Sequence, residues 1–255
     1  MKGLIIKDFL CLRKQLTNYA FILAGVVVIS ILYVLSYRFG NIHAGILEMT
    51  EAGQVSTTET VQIFGLGILI FMLVPIACTG DITNLFMDDA NASFYKVASS
   101  LPVSIDQRII CRFFSGWLFI AIGVIVDLIM AGILSSLTDL ISFWDFCGVV
   151  ISFASLMLMY VSMLILFMYL LGKEKATYAN VIPLIIGVLI YILANWETVK
   201  AFLIGGEDDA LFDLYNHTVE FIEHRFYLLF IAAVVVSAGS YFASVSIAHK
   251  KRGVA

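Results

Sequence analysis

The sequence predicts an all-α, polytopic membrane fold with six transmembrane helices, an interfacial N-terminal helix and a helix-forming cytoplasmic loop. Three observations predict it. Of 255 residues, 61% are hydrophobic and only 13% are charged, against about 25% charged in a soluble domain. Mean hydropathy is +1.00. Six apolar stretches approach the roughly 20 residues that a helix needs to cross a bilayer, and the Lys and Arg residues sort between their connections.

The chain reads as one transmembrane domain, residues 1–255, with three notable segments: 1–18, 80–112 and 196–226. In residues 1–18, Ile5, Phe9, Leu12 and Leu16 follow helical spacing, while Lys7 and Lys14 point elsewhere. That pattern predicts an amphipathic helix lying on the membrane surface. Charged residues precede the first apolar run, which is longer than a signal-peptide core, so no cleavable leader is expected. The expected spans are residues 19–37, 61–79, 114–135, 146–171, 179–195 and 227–247. Pro75 and Pro183 fall inside the second and fifth, where a proline frees a carbonyl and favours a bend.

Basic residues set the expected orientation. The N-terminus, the second and fourth connections and the C-terminus carry all of the 15 Lys and Arg except Arg38, Lys200 and Arg225. The positive-inside rule then places both termini in the cytoplasm of a multi-pass protein of the cell membrane. Acidic residues gather on the other side, most of all in residues 196–226. There Leu211, Tyr215, Thr218, Ile222 and Phe226 share a helical face, which predicts an amphipathic helix that Asp208 or Asp209 can cap.

The loop at 80–112 is polar but ordered in composition. A helix over "DDANASFYKVASSL" is expected to end at Leu101, because the following Pro102 disfavours the helical conformation in its neighbour. Ser104 is then placed to cap a new helix running through Arg108 and Arg112 into the third span. A short amphipathic lead, two spans, a loop ending in "SLPVS" (residues 100–104) and four more spans together resemble an ABC-2 type permease, the membrane subunit of an ATP-binding-cassette exporter. The opening "MKGLIIKDFL" is also similar to the start of many small members. The family often has a basic residue after the serine of this motif; here it is Ile105, with Arg108 and Arg112 further on.

The resemblance implies a coupling helix before Pro102 that docks on a cytoplasmic ATPase, with Asp88, Asp89, Phe94, Tyr95, Lys96, Leu101 and Pro102 as its contacts. The N-terminal helix would be a second contact. It implies a dimer of permease subunits, ATP and Mg bound on the partner rather than on this chain, and lipid as surroundings. Small members of that family export amphipathic peptides such as phenol-soluble modulins, so a hydrophobic or amphipathic peptide is the expected cargo. The chain itself has no GxxxxGK[ST] phosphate loop; the nearest string, "LGKE" at 171–174, lacks the first glycine and the hydroxyl residue.

Few residues suit chemistry. Asp127 is the one acid well inside a span, where a charge costs about 2.5–3.5 kcal/mol. It is expected to face the bundle interior, a subunit interface or a wet cavity, as a gate or cargo contact or as an interhelical hydrogen-bonding group. His217, Glu220 and His224 share a helical face, more in keeping with a solvated surface than with a metal site. Cys11, Cys78, Cys111 and Cys147 have no ligand or disulfide spacing. Net charge is −4 with no basic tract, which excludes nucleic acid as a partner. An ATP-independent carrier or channel is the alternative, with a membrane-embedded enzyme behind it.

Overall fold

Hydrocarbon offers the backbone no hydrogen-bond partners, so a chain this apolar must satisfy its amides within helices. The computed structural model describes residues 2–39, 74–78, 104–137, 142–172, 176–200 and 209–252, and all of its regular structure is helical. The elements are α1 (Lys2–Phe39), α2 (Ile105–Leu137), α3 (Phe143–Leu171), α4 (Ala176–Ala194), α5 (Trp196–Lys200) and α6 (Asp209–Arg252). Residues 74–78, around Pro75, are also helical.

Four helices are long and apolar enough to cross a membrane: Thr17–Ser36 within α1, Ile105–Ser136, Phe146–Leu171 and Arg225–Lys250. The fifth expected span forms a shorter apolar helix, Tyr178–Ala194, with Pro183 inside it. Of the second, only residues 74–78 are described. The protein is therefore an all-α polytopic membrane protein, with four clear spans among the described residues rather than the six expected.

The lead-in differs from expectation. Residues 2–18 are helical, but they continue into the first span as one 38-residue helix. No Gly or Pro stands between Arg13 and Phe21 to break it. The Thr17 hydroxyl donates to the Arg13 carbonyl at 2.9 Å, a bond made within the helix. Residues 2–18 thus form the first part of one long helix shared with the first span.

Two pairs of contacts give the helix directions. At one end of α2, Arg112 and Ser115 meet Asp8 of α1; further along, Met130, Ile133 and Leu134 line a small recess with Val27, Ser30 and Ile31. α1 and α2 therefore run the same way. Asp106 meets His249, and Phe113 packs edge-on against Tyr241 with centroids 5.8 Å apart, so α2 and α6 are antiparallel. α3 returns from α2 and runs beside α6 in the same direction.

α3 is the central helix, packing against α2, α4 and α6. Its closest partner is α6, whose buried face consists of Ala233, Ser237, Ser240 and Ser244 at helical spacing. Small side chains let two backbones approach closely, which drives helix association in lipid. The Ser162 and Ser237 hydroxyls bond across this contact at 2.8 Å, and Ser244 donates to the Ser240 carbonyl at 2.7 Å. Phe230, Ile231, Val234, Val235 and Phe242 on the other side of α6 are exposed, as a lipid-facing surface should be. α3 ends at Gly172, whose φ of 76° is the left-handed cap conformation and whose amide returns to the Met168 carbonyl at 3.1 Å.

Exposed Trp144, Trp196 and Tyr227 all lie at one end of the bundle, and Arg108, Arg112 and Lys250 at the other. Exposed Tyr178 stands at that second end and Arg225 and Lys200 at the first, so aromatics mark both boundaries, where they anchor spans at depth. α6 is interrupted at Arg225, whose φ of −131° and ψ of 17° depart from helical values just before the aromatic boundary. The helix expected in the segment before the last span is present, beginning at Asp209 and meeting that span at this kink. Replacing Ser240 with Leu should force α3 and α6 apart and cost about 1–3 kcal/mol. Ala238→Leu, on the exposed face, should change the thermal midpoint of the purified protein little; an equal fall in both would contradict this packing.

Candidate functional site: a basal polar cluster and a buried acid

The start of α2 is fixed by reciprocal hydrogen bonds. The Gln107 amide donates to the Ser104 hydroxyl at 3.2 Å, and the Ser104 amide donates to the Gln107 side-chain oxygen at 3.3 Å. This is a capping box, and it places the N-terminus of the helix at the serine expected from the sequence. Asp106 in the first turn also suits the positive end of the helix dipole. Its carboxylate lies 2.7 Å from His249 Nε2 near the end of α6, with both side chains about half exposed.

Two turns into α2, a second pairing is buried. Asp8 is 3% exposed. Arg112 donates to Asp8 Oδ1 at 3.3 Å, and the Ser115 hydroxyl donates to Oδ2 at 2.9 Å. Both carboxylate oxygens thus have partners on α2. Burial changes the importance of the charge pair: stranding one member of a buried pair costs about 3–5 kcal/mol, whereas exposed pairs contribute little. Asp8 escaped the sequence reading. The available signal was an acid on the flank of the Ile5–Leu12 face, one helical turn from each, within an otherwise basic stretch.

Asp127 is 0% exposed on the interior stripe of α2. Neither carboxylate oxygen has a hydrogen-bond partner among the described residues. The backbone of Ile76, just after Pro75, is turned toward it. Of the expected settings, the subunit interior is the one found, and complete burial removes a lipid-facing position.

The other expected site residues fare differently. Asp88, Asp89, Phe94, Tyr95, Lys96, Leu101 and Pro102 lie outside the described residues. Ile5 is partly buried on α1; Phe9, Leu12 and Leu16 are on the same helix, with their side chains outside the described set. His217, Glu220 and His224 stand on the helical backbone of α6, again without described side chains. Among the described residues, no group of three His, Cys, Asp or Glu converges as metal ligands.

The described geometry is that of a helical membrane bundle with buried polar links between its helices. Residues 55–251 match the family described as ABC-2 family transporter protein. That match covers most of the sequence, and the chain belongs to this family: it is a membrane permease, a transport subunit rather than an enzyme. No curated protein and no solved structure matches it significantly.

The two buried acids should respond differently to neutral substitutions. Asp8→Ala strands Arg112 and should lower the thermal midpoint of the purified protein, by an amount corresponding to about 3–5 kcal/mol. Asp127→Asn strands no partner and should leave the midpoint unchanged or raise it.

Proposed function

We propose that this chain is the permease subunit of an ATP-driven exporter, with six membrane crossings, both termini in the cytoplasm, a second permease subunit beside it and cytoplasmic ATPase subunits beneath. The observation that carries the reading is the family match over residues 55–251. Several features support its finer parts. α1 and α2 run in the same direction, which favours a connection between them that returns across the bilayer. One return there, together with α2, α3, α4 and α6, gives six crossings. α4 has 19 residues, about 28 Å at 1.5 Å per residue, close to the hydrocarbon thickness. The basic ends of α2 and α6 then face the cytoplasm by the positive-inside rule.

Energy enters from the partner. The chain lacks a phosphate loop, so ATP and Mg belong to the ATPase. Residues 80–103 would dock there through Asp88, Asp89, Phe94, Tyr95 and Lys96, with Leu101 and Pro102 setting the angle at which the docking helix meets α2. The capping box at Ser104 makes the end of this loop the rigid start of α2. Asp127, buried in apolar surroundings, would serve as a gate or cargo contact. The spans are rich in Phe, Leu, Ile, Val and Met, which favours a hydrophobic or amphipathic cargo, with an amphipathic peptide the first to test.

Affinity purification of the full chain from its native membrane should bring an ATPase subunit with it. Tyr95→Ala and Asp89→Ala should reduce export while the protein still reaches the membrane. Absence of any ATPase, together with full export by both variants, would sink the coupling-loop reading. Transport in liposomes holding this chain alone would point to an ATP-independent carrier. Single cysteines placed near each terminus, in a chain freed of its own thiols, should be labelled by impermeant maleimide only in inverted vesicles; labelling in intact cells would refute the orientation.

A further inference from the structure

The buried carboxylate of Asp8 has one oxygen on Arg112 and the other on Ser115, residues three apart on one face of α2. A slip of one residue along α2 is about 1.5 Å. That would stretch the 3.3 Å bond or the 2.9 Å bond beyond hydrogen-bonding range. The contact therefore fixes axial register as well as proximity. The other link at this end, Asp106 to His249, is a single contact between half-exposed side chains.

We propose that Asp8 is a positioning residue that locks α1 to the base of α2, so that both helices shift together when the loop ahead of Ser104 is displaced. The proposal rests on the ATP-coupled reading for the source of that displacement. A load arriving at Ser104 meets the capping box without slack and reaches Arg112 two turns later. From there the buried pair delivers it to α1. α6 is joined at this end by the exposed pair and by the edge of Tyr241 against Phe113, so relative motion falls between α2 and α6.

The test uses the full chain with its co-purified ATPase in lipid nanodiscs, its four cysteines replaced by alanine. Nitroxide labels go at Gly3 and Ile110, both exposed, with Ile110 and Lys250 as the comparison pair. In the parent, the Gly3–Ile110 distance should be narrow and equal in nucleotide-free and vanadate-trapped states, while Ile110–Lys250 shifts. Asp8→Asn should broaden the Gly3–Ile110 distribution at least twofold and let it change on trapping. The exchange D8R/R112D should narrow it again, a rescue that a purely steric role would not give. Ser115→Ala strands no charge and should broaden it less. A Gly3–Ile110 distance that moves on trapping in the parent, or an unchanged width in D8N, overturns the proposal. If no ATPase associates, the coupled reading fails, but D8N broadening and its rescue in nucleotide-free protein still decide whether Asp8 holds the register.

Discussion

The bundle depends on the close contact of α3 with α6. In lipid, apolar side chains gain nothing by leaving water, because their surroundings are apolar before and after association. What remains is the dispersion available when two backbones approach, and the few hydrogen bonds that can form between them. Ala233, Ser237, Ser240 and Ser244 provide the approach, and the Ser162–Ser237 bond provides the polar link. With α3 held in this way, α2 packs against both α3 and α6, and α1 packs against α2. α4 sits at the rim: among its described side chains only Ala179 and Pro183 are buried, while Leu184, Val188, Leu189 and Leu193 are exposed.

Three aspartates show how position sets the role of one side chain. Asp106 is solvated and can lose His249 without being stranded. Asp8 is buried but fully occupied, so its charge fixes geometry. Asp127 is buried, with the backbone of Ile76 beside it and no charged side chain on it among the described residues. A carboxylate without a compensating partner is not a stabilising feature.

Much of the architecture could be read from hydropathy, because crossing a bilayer demands long apolar runs whatever their packing. The start of α2 was legible for a local reason: a serine followed three residues later by Gln107 can bond only with its own first turn. The continuity of α1 was less visible. An amphipathic lead-in and a span each have the expected pattern, and the absence of a breaker between them is a weaker signal than either. Asp8 was hidden because its partners lie more than 100 residues away, and no periodicity within residues 1–18 reports on α2. The positions carrying the family likeness, from Asp88 to Pro102, came from a motif; the described fold offers no geometry for them.

The separation of 104 residues between Asp8 and Arg112 also bears on biosynthesis. Asp8 leaves the ribosome long before its partner exists, and the two can meet only once the intervening chain has been made. An α2 threaded in the opposite sense would leave Arg112 on the far side of the bilayer, with both charges alone. The pair thus stabilises one threading of the chain with a bond that the inverted form would lack.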